Sequence, residues 1–323
     1  MSEFDLIRQL QKIISFEPRP GAHASVVGIG DDAAVLELPP GRQLIVTTDT
    51  LVQGVHFSPR TTPGDLGHKS LAVSLSDLAS MGAEPAWFFL ALTLPGIDSA
   101  WTDAFAKGMA DLAENTGIEL AGGDTTSGPL SITVTALGLV ETGQALRRSG
   151  AREGDIIVVS GSLGGAAFAL KMITAGEVPA AACAEKLHRP DPRLGLGCRL
   201  HGLATSCIDL SDGLLADLGH VLHASGKGAE IHLERLPSPE CMAKLNETER
   251  LELQTGGGDD YELCFTIPRN REPELAVIQR ETGIRLTAIG EITASRKLLC
   301  IARDGEVCHA SRKGYEHLAG DGG

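Results

Sequence analysis

Carboxylates set in glycine-, serine- and threonine-rich turns, each just after or beside an apolar run, constrain this chain more than any other feature. They are Gly28-Ile29-Gly30-Asp31-Asp32, Thr47-Thr48-Asp49-Thr50, Ser74-Leu75-Ser76-Asp77, Gly122-Gly123-Asp124-Thr125-Thr126, Asp209-Leu210-Ser211-Asp212-Gly213 and Gly257-Gly258-Asp259-Asp260-Tyr261. One Asp-Gly pair is usually a turn. Six such clusters in 323 residues point instead to hard oxygen ligands gathered round several divalent cations. Mg²⁺ favours carboxylates, hydroxyls, waters and substrate phosphates, so a site of that kind handles polyphosphate.

A chain of 323 residues is long enough for two domains, each with its own core. The net charge of −14, from 28 basic and 42 acidic residues, argues against a nucleic-acid binder, which would show a basic stripe. It also sets a problem, because an acidic protein repels a phosphorylated ligand unless metal ions invert the local sign. The seven cysteines, Cys183, Cys198, Cys207, Cys241, Cys264, Cys300 and Cys308, contain no C-x-x-C pair and are odd in number. Neither a zinc knuckle nor a disulfide framework is expected, but reduced, mostly buried thiols in a cytoplasmic protein. The acidic start Met1-Ser2-Glu3-Phe4-Asp5 lacks the layout of a signal peptide. No apolar stretch approaches the roughly 20 residues that span a bilayer, so no membrane is expected as partner.

Helical spacing of Leu6, Leu10, Ile13 and Ile14 predicts a helix over residues 4–14. Strands are expected at Ala33–Leu38 and, after the Pro39-Pro40-Gly41 turn, at Gln43–Thr48. A helix over about Leu66–Met81 has Leu71, Leu75 and Leu78 on its apolar face, with Ser70, Ser74 and Asp77 forming an adjacent polar stripe that can lie against a ligand. Then come a strand at Trp87–Leu94, a helix from about Ser99 to Thr116 and strands at Glu119–Gly122 and Leu130–Val140, an α/β or α+β layout. The polar stretch Arg147–Gly154 marks a break, giving domains of residues 1–149 and 150–323. Beyond it are expected a strand at Asp155–Ser160, a tight turn at Gly161–Gly165, a helix at Ala166–Thr174 and a helix at Leu214–Ser225.

No G-x-x-x-x-G-K-[ST] loop, protein-kinase motif set, Ser–His–Asp constellation or G-x-S-x-G occurs. Gly161-Ser162-Leu163-Gly164-Gly165 is read as a strand-to-helix turn, the alternative being N–H groups facing a phosphate. Asp31 and Asp32 can cap a turn; Asp49 and Asp124 can initiate one; Asp209 and Asp212 can cap the helix that follows. Asp77 is harder to dismiss, because aspartate is a poor helix former and this one falls inside a helix. His220 and His223 read as a solvated helix face, and Tyr261 as part of a strand start.

The strings GIGDDAAVL, TTDTLVQGVHF, KSLAVSLSDLASMGAEPAW, AGGDTT, IDLSDGLLADLGH and GGDDYELCFT, in this order, resemble the thiamine-monophosphate kinase family. That family lies in the superfamily of aminoimidazole ribonucleotide synthetase and selenophosphate synthetase. The resemblance runs from about Phe4 to Lys313-Gly314-Tyr315-Glu316-His317, nearly the whole chain. It implies a two-domain aminoimidazole ribonucleotide synthetase-like fold, with an N-terminal mixed sheet and helix domain that dimerises and a C-terminal α/β sandwich domain. ATP is expected in a cleft along the domain junction.

The implied reaction moves the ATP γ-phosphoryl group onto thiamine monophosphate, with several Mg²⁺ ions. By resemblance, Asp32, Thr47, Thr48, Asp49, Asp77, Asp124, Asp209 and Asp212 fall on metal positions, with Asp77, Asp124 and Asp212 assigned to the chemistry. Gly123, Asp124, Arg148 and Ser211 fall on ATP contacts, while His56, Asp259 and Tyr315 line the thiamine phosphate. A surface role is the other reading of Arg148, and Tyr315 offers an aromatic face to a thiazolium cation. One departure stands out: Asp259 occupies a place where GGEDYEL would put glutamate. Two other readings stay open, a ligase-type sibling activating an amide or formyl oxygen with ATP, and a Mg-nucleotide binding module without turnover.

Overall fold

The computed structural model describes residues 3–16 and 25–308. Two compact units divide the chain, Met1–Leu78 with Ala83–Ala145, and Ala79–Gly82 with Leu146–Gly323.

The first unit runs α1 (Glu3–Ile14), β1 (Arg42–Val52), α2 (Pro63–Ser80), β2 (Glu84–Leu94), α3 (Ser99–Thr116), β3 (Glu119–Ser127) and β4 (Ser131–Glu141). Its sheet has the order β1-β4-β2-β3, with β2 and β3 parallel and the other pairs antiparallel. α2 begins at a proline, whose missing N–H costs nothing there. Thr62 caps it, its Oγ1 accepting the Asp65 N–H at 3.2 Å and donating to Asp65 Oδ2 at 2.7 Å. α3 is bounded by Asp98, which accepts the N–H groups of Ala100 and Trp101, and by Gly117 in the left-handed region. Leu71, Leu75 and Leu78 of α2 are fully buried, as are Ile132, Val134 and Ala136 of β4.

On the opposite face of β4, Leu137 and Leu139 cluster with Ala86, Trp87 and Ala121, covered by Ala34 and Leu36. Toward the other end that face lies open: Val46 is 56% exposed, and Thr48 and Thr50 pair across the ladder with Thr135 and Thr133 at 2.9 and 2.8 Å.

Two expectations fail in this unit. Ala33–Leu38 is not a strand: Val35 makes one bridge to Val27, and the chain turns at Gly30–Asp32 before a ladder can extend. β1 and β3 run past Thr48 and Gly122, so Asp49 and Asp124 sit inside strands and initiate no turn. Threonine suits a half-buried pleated surface, and Thr47–Thr50 keeps pairing with β4 up to Val52 opposite Ser131.

The second unit contains β5 (Ile156–Ser160), α4 (Gly165–Thr174), α5 (Ala181–His188), α6 (Leu194–Arg199), β6 (Ser206–Asp209), α7 (Leu214–Ser225), β7 (Gly228–His232), α8 (Glu247–Gly256), β8 (Leu263–Ile267), α9 (Glu274–Thr282), β9 (Leu286–Thr293), β10 (Leu298–Ile301) and β11 (Val307–Cys308). Its strands form one sheet of order β11-β10-β7-β9-β5-β8-β6, parallel only between β10 and β7. Successive residues of the apolar run Ile156–Val159 point to opposite faces. Ile157 and Val159 pack with Leu214, Leu218 and Val221 of α7. Ile156 and Val158 pack with Leu196 of α6 and Leu275 and Ile278 of α9. A sheet covered on both faces is what an unbroken apolar strand requires.

The cysteines also depart from expectation. Cys183 of α5 and Cys241, in a short 3₁₀ turn at Glu240–Met242, form a disulfide with Cα atoms 6.2 Å apart. They lie 58 residues apart in sequence, so only the packing of α5 on that turn brings them together. Cys207, Cys264 and Cys300 are buried and Cys198 is half-buried, all four outside any disulfide.

Candidate active site

In the first unit, Thr47 and Asp49 of β1 face α2. Thr47 Oγ1 donates to Asp77 Oδ2, and Ser74 Oγ donates to Asp49 Oδ2 at 2.8 Å. Four oxygen-bearing side chains from one strand and one helix thus meet in a half-buried cluster. Burial pushes the Asp49 carboxyl up to about 6, the negative charge of Asp77 pushes the same way, and the Ser74 hydrogen bond opposes both. Ser70 belongs elsewhere, its hydroxyl donating to the Gly67 carbonyl within α2 at 3.0 Å.

The strand pleat sends Thr48 to the other face, onto Thr135. Asp124 is exposed in β3 opposite Ala91, and Gly123 before it is fixed by close approach: a Cβ there would lie 2.0 Å from the Leu90 carbonyl oxygen. Asp32 is exposed, its N–H donating to Asp31 Oδ1 at 2.8 Å. His56 sits in the loop after β1, where its Nδ1 accepts the Val52 N–H at 3.0 Å. Among the described residues, no three or more His, Cys, Asp or Glu side chains converge to hold a metal ion.

In the second unit, Asp209 ends β6 and is buried. Neither Asp209 nor Asp212 caps α7. The capping position is Gly213, with φ 118°, and it offers no side chain. Asp217, one turn into α7, supplies the carboxylate instead: its Oδ2 accepts the N–H groups of Asp212 at 3.0 Å and Gly213 at 3.1 Å. Burial pushes Asp217 up to about 7 against these bonds. An acidic residue in a first helical turn was the available signal for it, and was missed.

Residues 258–262 lie against this loop. Asp259 N–H donates to the Ser211 carbonyl at 2.9 Å and Tyr261 N–H to the Leu210 carbonyl at 2.8 Å, while Leu210 N–H donates to the Glu262 carbonyl at 2.8 Å. The approach is close enough that a Cβ on Gly258 would meet the Ser211 carbonyl oxygen at 2.6 Å. Asp259 and Tyr261 have φ of 67° and 47°, the only non-glycine residues in the left-handed region among those described. Such backbone costs on the order of 1–3 kcal/mol per residue and persists where surrounding contacts enforce it. Tyr261 is therefore a loop residue ahead of β8 rather than a strand start.

Two further carboxylates hold the segment. Asp260 accepts the Gly164 N–H on both oxygens, at 3.0 and 2.9 Å. That engages the Gly161–Gly165 turn with a side chain of the protein itself, which favours the plain turn over a phosphate loop. Burial pushes Asp260 up to about 8. Glu262, 1% exposed, is gripped by the Arg193 fork at 2.7 Å through both Nε and Nη2 and by Ser160 Oγ at 2.6 Å, with Lys186 Nζ 3.4 Å away. Burial alone would raise its pKa, but Arg193, Lys186 and Ser160 together hold it below the usual carboxylate range. Arg148 is exposed, its carbonyl accepting from Ser225 Oγ at 3.4 Å. His220 and His223 are exposed on α7 as expected, and Tyr315 lies outside the described residues.

Residues 30–140 match the family model "AIR synthase related protein, N-terminal domain", and residues 152–301 match "AIR synthase related protein, C-terminal domain". Thiamine-monophosphate kinase of Escherichia coli (strain K12) is 46% identical over 299 residues, covering 91% of this chain and 92% of that protein. The crystal structure of thiamine-monophosphate kinase from Stenotrophomonas maltophilia K279a superposes with a TM-score of 0.86 at 42% identity, covering 95% of this chain and 98% of that one. A complex of AaThiL with AMPPCP and TMP superposes with a TM-score of 0.76 at 29% identity, covering 98% of this chain and 97% of that one.

Proposed function

Since this chain belongs to the thiamine-monophosphate kinase family of AIR synthase-related proteins, we propose how its residues divide the work of that enzyme. The chain phosphorylates thiamine monophosphate to thiamine diphosphate, with ATP as phosphoryl donor. Both reactants are anions, and the acceptor phosphate is itself a competent nucleophile near neutral pH. A strong general base is unnecessary; neutralised charge and in-line positioning do the work. The transfer is direct, without a phosphoenzyme.

The observation that carries the assignment is the cluster of Thr47, Asp49, Ser74 and Asp77. Two carboxylates are held near each other, each with a hydroxyl donor, and Asp77 raises the proton affinity of Asp49. Such repulsion is what a divalent cation relieves, and every donor is the hard oxygen that Mg²⁺ takes. Mg²⁺ would be held by Asp32, Thr47, Thr48, Asp49, Asp77 and Asp124 of the first unit and by Asp209 and Asp212 of the second, and would supply charge neutralisation for the transferred group. Asp77, Asp124 and Asp212 serve the chemistry. Gly123, Asp124, Arg148 and Ser211 contact the nucleotide, and His56, Asp259 and Tyr315 contact the thiamine phosphate. Residues 1–149 thus carry most of the metal positions, and residues 150–323 carry Asp209, Ser211, Asp212, Asp259 and Tyr315.

The working form is a homodimer. The open face of the first unit's sheet, with exposed Val46 and the threonine ladder, supports pairing between N-terminal halves. A cytoplasmic location follows from the phosphorylated substrates, and no helix among the described residues is long and apolar enough to cross a membrane. Transfer from ATP chiral at the γ-phosphorus tests the direct route: inversion is expected, and net retention would require a phosphoenzyme.

A further inference from the structure

Tyr261 is buried, 6% exposed, in a backbone conformation that tyrosine seldom adopts. Its phenol reaches back two residues and donates to Asp259 Oδ1 at 2.9 Å. The backbone N–H groups of both residues are tied to the Asp209–Asp212 loop, at Ser211 and Leu210. On the far side, Asp260 is anchored on Gly164 and Glu262 on Arg193 and Ser160. Asp260 and Glu262 therefore pin the segment on one side, while the Tyr261 phenol turns back to Asp259.

We propose that Tyr261 is a positioning residue for the Asp259 carboxylate and thereby sets the affinity for thiamine monophosphate, an inference that rests on the reading of Asp259 as a substrate contact. A hydrogen bond to a carboxylate is charge-assisted and directional. Tying one oxygen restricts rotation of the short Asp259 side chain, so less ordering is left for binding to supply. Because the same segment hangs on Ser211, the phenol also fixes Asp259 relative to the loop assigned to nucleotide and metal. Tyr261 touches no reacting atom in this scheme; it acts through Asp259.

The test uses the full chain with ATP, Mg²⁺ and thiamine monophosphate, comparing the unaltered enzyme, Tyr261→Phe, Asp259→Asn and the double variant, with thermal melting of each. Tyr261→Phe keeps the ring and its packing. It is expected to raise KM for thiamine monophosphate roughly five- to tenfold while kcat and KM for ATP stay within about twofold. The double variant is expected to be no worse than Asp259→Asn alone, since the phenol then has no carboxylate to position. If Asp259→Asn raises that KM and Tyr261→Phe does not, the positioning role is overturned. It is equally overturned if Tyr261→Phe lowers kcat, raises both KM values and lowers the melting temperature together, because that is general loosening. An Asp259→Asn enzyme with unchanged KM for thiamine monophosphate would remove the substrate assignment itself, and the proposal with it.

Discussion

Ser74 Oγ, on α2, donates a 2.8 Å hydrogen bond to Oδ2 of Asp49, on β1. This joins the helix stripe to the strand and opposes the burial that pushes Asp49 up to about 6. Removing the hydroxyl by Ser74→Ala frees the carboxylate from its bearing while leaving both carboxylates in place. The Mg²⁺ concentration for half-maximal velocity is expected to rise roughly fivefold, the worth of about 1 kcal/mol of hydrogen bond. Initial rates against Mg²⁺ at saturating ATP and thiamine monophosphate measure this, and an unchanged half-saturation would exclude Ser74 from the proposed metal site.

Asp260 gives a pH dependence of stability. Its carboxyl is pushed by burial from the ordinary 3.8 to about 8. Between those values the folded chain holds a proton that the unfolded chain has released, so stability falls as pH rises through the window. The loss is complete once the pH exceeds the folded value. Asp260→Asn keeps an acceptor for the Gly164 N–H and removes the titration. Urea unfolding from pH 5 to 9 is expected to give a flatter profile for this variant than for the unaltered chain.

Glu262 is buried against the half-buried Arg193 fork, and removing Arg193 leaves its charge with only Lys186 at 3.4 Å and the Ser160 hydroxyl. Arg193→Ala is expected to destabilise the chain by about 3–5 kcal/mol. Adding Glu262→Gln to Arg193→Ala is expected to recover part of that loss, since it removes a buried charge that has lost its main partner. Equal unfolding free energies for the single and double variants would show that Lys186 and Ser160 suffice to hold the Glu262 carboxylate.

The Cys183–Cys241 bond constrains the unfolded chain over a separation of 58 residues. Reduction is expected to cost about 2–4 kcal/mol and to release two further thiols under denaturing conditions. Unfolding curves with and without dithiothreitol, alongside thiol titration, check both statements.

Local signals carried well where an element is defined by its own residues. The helices expected at Leu214–Ser225 and at about Ser99–Thr116 form over those residues, and the apolar face Leu71, Leu75 and Leu78 is buried as its spacing predicts. Asp77 was legible as an anomaly, a poor helix former within a helix, and it faces Thr47. What remained hidden depends on contacts between distant segments. A strand at Ala33–Leu38 had a suitable pattern and no partner ladder to join. Asp260 stands in one of the acidic clusters, whereas Asp217 and Glu262 stand in none. Their roles appear only when residues 258–262 come to lie on residues 210–211 and beside the Gly161–Gly165 turn. The cysteine pair was invisible for the same reason, with no spacing motif linking Cys183 to Cys241.

Product formation with and without the Asp77 carboxylate tests the central claim, phosphoryl transfer served by the proposed metal cluster at Asp49 and Asp77. ATP, Mg²⁺ and thiamine monophosphate are incubated with the unaltered chain and with Asp77→Asn, and ADP and thiamine diphosphate are both quantified. The unaltered chain is expected to yield the two products in equal amounts. Asp77→Asn, with its fold verified by circular dichroism, is expected to be slower by roughly 100-fold or more. ADP without thiamine diphosphate, or an Asp77→Asn enzyme of undiminished rate at limiting Mg²⁺, would contradict it.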